Sequence, residues 1–331
     1  MKKNLIALAI ASAVAAPVVM ADAPTLYGQI NVAVDSVNGE AGFMDGTGTT
    51  DRDSRLGIKG SEDLGNGLKA VYHMEFGIKV GDALGTISGR NAAVGLSGGF
   101  GTVLLGRWDS PLKMSQPKDL FGDSTYADIG KDTMSGNLGL NGDGGESRFD
   151  NVVAYVSPSF AGIKLIAAGV ASEKGGTTAD SSVTDAYSVA LTYGSAKKGL
   201  YLAAAMDQAG DEFAGANNEW QHIRFSAQYA AAGLVVNGIY QEFDADIANA
   251  REGSNIQVSA GYKIGKLMPK VKYSMVDFDD ARDDGSAYGL GLDYALGKKT
   301  TGYIEYVGSD KEMTGSADDL TALSVGMVHK F

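Results

Sequence analysis

The spacing of turns constrains this chain more tightly than any motif in it. Short glycine-rich turns fall at 63–67, 98–101, 157–162, 194–199, 230–233, 265–269 and 296–300. Between them lie longer polar segments, near 36–51, 80–89, 109–147, 172–184, 208–219, 244–252, 278–286 and 308–319. Seven short and eight long connections in strict alternation join sixteen strands and leave both chain ends on the short-turn side. A sheet sandwich in water has no reason to sort its loops by length. An antiparallel barrel that crosses a membrane does, because all turns of one kind emerge on one side.

The segments between these turns alternate with period 2. Leu26, Gly28, Ile30, Val32 and Val34 interleave with Tyr27, Gln29, Asn31, Ala33 and Asp35. Leu56 and Ile58 interleave with Arg55, Gly57 and Lys59, and Val271, Tyr273 and Met275 with Lys270, Lys272 and Ser274. Strand side chains point alternately to opposite faces, so each segment has one apolar and one polar side. A transmembrane strand needs about ten such residues. The composition agrees: 46 Gly, 6 Pro, 15 Tyr and 11 Phe suit antiparallel strands and tight turns. Mean hydropathy is −0.07, which fits a barrel in which only every second strand residue meets lipid. The expected fold is all-β, a 16-stranded antiparallel transmembrane β-barrel.

The chain begins with Lys2 and Lys3, an apolar run from Leu5 to Met20 broken by Ser12 and Pro17, and small residues around Ala21. This is the pattern of a secretory signal peptide, with Val19-Met20-Ala21 as the favoured cleavage triplet and Ala21-Asp22-Ala23 as its neighbouring alternative. We expect a leader over 1–21 and one barrel domain over 22–331. After Met20 no apolar stretch is long enough for a membrane-spanning helix. The formal net charge of −12 becomes −14 without the leader's two lysines, a balance that disfavours nucleic-acid binding. With no cysteine the fold uses no disulfide.

Several stretches together resemble one family: "TLYGQI" at 25–30, "SRLGIKGSEDLGNGLKAVYHMEF" at 54–76, "VGLSGGFGTVLLGR" at 94–107, "SRFDNVVAYVSPSFAG" at 147–162, and the terminal Phe331. They are similar to the Gram-negative general diffusion porins. The resemblance implies a homotrimer in the outer membrane of a Gram-negative bacterium, in contact with outer-membrane lipids and lipopolysaccharide. Each barrel would pass small hydrophilic solutes and ions passively, with no reaction, cofactor or metal. It also implies that Phe331 addresses the barrel-insertion machinery and that the long third loop, about 109–147, folds into the pore. Acidic residues of that loop, here Asp119, Asp123 and Asp128, would then face a basic wall formed by Arg55, Arg107 and Arg148. Periodicity adds Lys59, which shares a face with Arg55. It puts Arg107 in phase with apolar Val103 and Leu105, so either the strand bulges there or the chain has already left the lipid zone. Many relatives carry Lys where this chain has Gln29, and the mixed signs around the bore leave its ion preference open.

Sharper motifs give way to blander readings. Gly95-Leu96-Ser97-Gly98-Gly99 matches the G-x-S-x-G nucleophile elbow, but a second strand follows it instead of a helix. His73, His222 and His329 have no ligand spacing. The acidic loop 277–284 lacks the order of a calcium loop and reads as a solvated tip. Tyr27, Tyr72, Tyr155, Tyr262, Tyr288, Tyr294 and Tyr306 are expected at strand ends, as an interfacial belt. A substrate-specific channel on the same fold is the second reading. An outer-membrane enzyme or adhesin is the third, and the absence of a Ser-His arrangement weighs against it.

Overall fold

The computed structural model describes residues 23–39, 46–81, 87–122, 125–130, 145–170, 185–210, 219–246, 252–279 and 283–331. The expected leader (1–21), Asp123, the glycine-rich run 136–144 and Asp280 lie outside the described residues.

The chain forms one antiparallel sheet of seventeen segments. These are β1 (Thr25–Asn38), β2 (Gly46–Asp51), β3 (Arg55–Gly65), β4 (Leu68–Gly77), β5 (Ser88–Gly98), β6 (Gly101–Asp109), β7 (Arg148–Val156), β8 (Ile163–Val170) and β9 (Ala186–Gly194). They continue as β10 (Gly199–Ala209), β11 (Glu219–Ala231), β12 (Leu234–Asp246), β13 (Gly253–Tyr262), β14 (Leu267–Phe278), β15 (Gly285–Ala295), β16 (Thr300–Ser309) and β17 (Leu320–Lys330). The sheet closes where β1 meets β17, from Gln29 opposite Lys330 to Asn38 opposite Thr321. Closure leaves no unpaired edge, which a spanning sheet requires because lipid offers no hydrogen bonds.

Segments β2 and β3 are two halves of one strand. Both pair with β1, Asp51 opposite Val32 and Arg55 opposite Gln29, and only Arg52, Asp53 and Ser54 interrupt them. The barrel therefore has the sixteen strands expected. The seven short turns also lie where glycine marked them. At Asn66-Gly67 (φ 53° and 76°) and Ala232-Gly233 (φ 49° and 86°) both turn residues are left-handed, the two-residue hairpin geometry that matches strand twist.

Ile30, Val34, Val94, Leu105, Phe225, Ile256 and Val325 are exposed on the outer face. Gln29, Asn31, Asp35, Gln228, Asn255, Lys272 and Ser274 are buried on the inner one. This inversion of a water-soluble protein is stable only where lipid covers the outside, since exposed apolar surface costs about 25 cal/mol per Å² in water. Among the described residues no helix is long and apolar enough to cross a membrane; the strands do the crossing.

The terminal Phe331 is held by its backbone. Its N–H donates to the Gly28 carbonyl at 3.1 Å, and its carbonyl accepts from the Gly28 N–H at 3.3 Å. Its ring lies where a Cβ on Gly28 would sit, 2.5 Å away, so glycine there makes room for the aromatic. Of the belt tyrosines, Tyr262, Tyr288, Tyr294 and Tyr306 are exposed on the outside. Tyr27 departs from the expectation: its hydroxyl donates to Glu75 at 2.8 Å and contacts His73. It shares the phase of Gln29 and Asn31 and belongs to the lumen.

Among the described residues, two four-residue helices occupy long connections. In α1 (Pro111–Met114) the Ser110 hydroxyl caps the Lys113 N–H, and Pro111 takes the first position, where a missing N–H does no harm. In α2 (Lys311–Thr314) Asp310 caps the Met313 N–H. Met313 is fully buried among Phe278, Val307, Leu320 and Ala322, and this apolar packing extends to Leu120, Phe121 and Ala127.

Candidate functional site: the charged lumen

The break between β2 and β3 brings charge inside. Asp53 adopts φ 58°, and the neighbouring Arg52 N–H donates to the Asn31 carbonyl at 2.8 Å. The Arg52 guanidinium pairs with Asp35, donates to Ser324 Oγ at 2.9 Å and stacks 5.2 Å from the Tyr126 ring centre. Arg52 and Asp35 are both buried. One side chain thus joins the closing strands β1 and β17 to the segment after β6.

A row of arginines follows along β3, β5 and β7. Asp53 accepts from Arg90 Nη1 at 2.9 and 3.0 Å and from Arg55 Nη1 at 3.4 Å. Arg90 Nε also donates to Glu75 at 2.6 Å. It reaches that carboxylate through a shift in register: Met74 faces Ala92 and Phe76 faces Gly89, so Arg90 and Asn91 together oppose the single Glu75. Next along the wall, Arg148 Nε donates to Asn91 at 2.8 Å, and its Nη2 pairs with Asp109 at 2.8 Å. Asp109 also has Lys113 at 3.9 Å. The carboxylates are therefore shared between cations. The side chains of Arg55, Arg90 and Arg148 keep 23%, 14% and 12% of their surface exposed.

Lys59 is exposed and places its ammonium 5.0 Å from the Tyr27 ring centre. Among the described residues no carboxylate forms an ion pair with it. Arg107 stands apart. The register shift between Gly106 and Trp108 turns Trp108 to face Phe149, whereas Arg107 stays opposite Ala92, in phase with outward-facing Leu105. It pairs with Asp150 at 2.7 Å, and the side chain of that partner is 68% exposed.

Across the barrel, residues 112–122 and 125–129 are bonded to the wall strand by strand. The Leu112 N–H donates to Ser188 Oγ on β9, and the Ser115 carbonyl accepts from Tyr201 on β10. The Lys118 N–H donates to Gln228 on β11, and its carbonyl accepts from Asn237 on β12. The Ile129 carbonyl accepts from Gln257 on β13. Asp119 pairs with Lys272 on β14 at 2.7 Å, and its two oxygens also accept the N–H groups of Phe121 and Ile129 at 3.0 Å. Lys270 donates to the Leu120 carbonyl at 3.0 Å, pairs with Asp293 and Glu305 at 2.7 and 2.8 Å, and lies 4.6 Å from the Phe121 ring centre. Behind the segment, Arg224 holds Glu146 and donates to Gln241 at 2.7 Å. Asp128 accepts from the Gly130 N–H at 3.2 Å.

Of the expected site residues, then, Arg55 and Arg148 fall in one row and Lys59 lies near it. Arg107 lies outside the row, Asp119 is tied to the wall beneath it, and Asp123 is outside the described residues. Sequence reading did not single out Arg90, Asp53, Glu75 or Asp109. Arg90 depends on a bulge, which leaves no periodic trace. Lys270 and Lys272 did leave one, as two lysines in the polar phase of a strand whose other phase is Val271, Tyr273 and Met275.

Comparison with known proteins agrees with this architecture. The profile of the family described as Gram-negative porin matches residues 7–313. The major outer membrane protein P.IB of Neisseria meningitidis serogroup B / serotype 15 is 30% identical over 353 residues, with all of both chains covered. The same-named protein of Neisseria gonorrhoeae is 29% identical over 372 residues, again with full coverage. Among solved structures, the anion-selective porin from Comamonas acidovorans aligns with a TM-score of 0.74 at 24% identity, covering 93% of this chain and 99% of that one. The trimer form of OmpT from Vibrio cholerae aligns with a TM-score of 0.68 at 16% identity, covering 94% and 100%.

Proposed function

Because this chain belongs to the Gram-negative porin family, and is thus an outer-membrane channel for small hydrophilic solutes and not an enzyme, we propose that its bore narrows between two unlike walls. One wall is the arginine row Arg55, Arg90 and Arg148, with Lys59 beside it. The other is the third loop, lying inward on β9–β14. The observation that carries the reading is the strand-by-strand bonding of residues 112–122 and 125–129 to lumen-facing side chains. Fixed charges across a narrow aqueous gap orient water and favour polar solutes. Asp53, Glu75 and Asp109 match the charges of Arg55, Arg90 and Arg148, and Lys113 and Lys59 add positive charge on the same side, so this wall has a positive surplus and the channel favours anions. Arg107 is left out of the pore and assigned to the outer surface.

Three further features belong to the same reading. Residues 1–21 are a cleaved leader. The barrels assemble as homotrimers among outer-membrane lipids and lipopolysaccharide, as the trimeric Vibrio neighbour suggests. Phe331, pinned at the barrel seam, serves as the address for barrel insertion.

The test is the reversal potential of the channel in a planar bilayer under a KCl gradient. The native protein is expected to reverse on the anion side. Replacing Arg55, Arg90 and Arg148 together with Gln should move the potential toward the cation value, and an unmoved potential overturns their placement at the constriction.

A further inference from the structure

A hollow of about 400 Å³ opens in the wall beside the arginine row, lined among others by Thr25, Lys59, Val71, His73, Leu104 and Trp108. That volume lies within the roughly 300–1,000 Å³ typical of small-ligand sites. The lining, with the Tyr27 ring that His73 packs against, combines two features. The first is aromatic. Tyr27 and His73 meet edge to face, with ring centres 5.7 Å apart at 86°, and His73 and Trp108 do the same at 5.1 Å and 83°. A run of rings alternating in this way offers a further ring an edge or a face to continue it. The second is a cation with no ion-pair partner among the described residues. The Lys59 ammonium lies over the face of Tyr27, while the nearby carboxylate, Glu75, is taken up by Arg90 and by the Tyr27 hydroxyl. Val71 and Leu104 complete an apolar floor. The Trp108 indole N–H, with no hydrogen-bond acceptor among the described residues, adds a polar donor at the rim.

We infer that this hollow is a binding subsite for small aromatic carboxylates, with the carboxylate on Lys59 and the ring against His73 and Trp108. The inference rests on the channel reading above and adds a solute class to it. Charge decides against aromatic amines, which Lys59 repels. The ring system decides against short aliphatic acids, which would leave the aromatic wall unused. A weak, single site of this kind suits a pore, since a solute must bind well enough to enter and loosely enough to leave.

The experiment measures single-channel current through the full-length native protein with benzoate, acetate, benzyl alcohol or benzylammonium added. Benzoate is expected to reduce the open current in a saturable way, at least about tenfold more strongly than acetate or benzyl alcohol, with no block by benzylammonium. Lys59→Gln should weaken the benzoate block about tenfold, and Trp108→Leu, which keeps an apolar side chain of useful size, about fivefold. Benzoate that behaves like acetate, or a block unchanged in Lys59→Gln, overturns the subsite. An intact anion preference without benzoate block overturns this inference alone. A benzoate block in a channel without anion preference supports the subsite and overturns the arginine-row reading.

Discussion

Lysines and arginines line the lumen on both sides, yet the two sides treat them differently. On β14 and β11 the side chains of Lys270, Lys272 and Arg224 are 3%, 2% and 1% exposed, and each grips the third loop or the residues at its far end. On β3, β5 and β7, Arg55, Arg90 and Arg148 keep 23%, 14% and 12%. A pair of charges 4 Å apart is worth about 1 kcal/mol in bulk water and about 4 kcal/mol at an effective dielectric constant of 20. The charges of the buried set are consumed locally, Lys270 by Asp293 and Glu305 on the wall, Lys272 by Asp119 and Arg224 by Glu146. On the proposed reading, the wetter set retains a field that a passing ion can feel. Residue type and lumenal placement do not distinguish these roles; contact with water does.

Three substitutions test that division. The largest effect on stability is expected from Arg52→Leu, which strips the buried partner from Asp35 and should cost about 3–5 kcal/mol. Urea unfolding in lipid vesicles, followed by tryptophan fluorescence, reads it, and a loss below about 1 kcal/mol would mean that water reaches Asp35. Next comes Lys272→Met, which keeps an unbranched side chain and removes the charge-assisted bond to Asp119 together with the cation–ring contact to Phe121. It should cost about 2 kcal/mol and release the loop, making the open current noisier while the reversal potential moves less than in Arg90→Gln. If Lys272→Met instead moved the potential as far as Arg90→Gln at unchanged stability, the division between clamps and pore charges would fail. The smallest effect belongs to Arg107→Gln. An exposed pair such as Arg107–Asp150 is worth about 0–1 kcal/mol, so both stability and reversal potential should stay near native values, and a shifted potential would return Arg107 to the pore.

Much of the barrel was legible in the chain. Period-2 alternation assigned Leu26, Ile30 and Val34 outward and Gln29, Asn31 and Asp35 inward, as found. The alternation of turn lengths gave sixteen strands, and the same phase argument already set Arg107 beside Leu105. The site was legible only in part. Arg55 and Arg148 came from resemblance and Lys59 from phase, whereas Arg90 entered through a bulge. Tyr27, listed with the belt but in the phase of Gln29, shows that phase was the better guide.

Strand number, facing and seam follow from the sequence alone because alternation and turn length are properties of neighbouring residues, and a membrane sorts them in only one way. Which cations stay wet does not. Asp119 meets Lys272 across 153 residues of chain, and the Ala127 carbonyl meets the same ammonium across 145. Such pairings exist only once segments far apart in the chain have come together. The tertiary structure alone decides that Lys272 is buried against Asp119 and that Arg55, Arg90 and Arg148 keep part of their surface exposed.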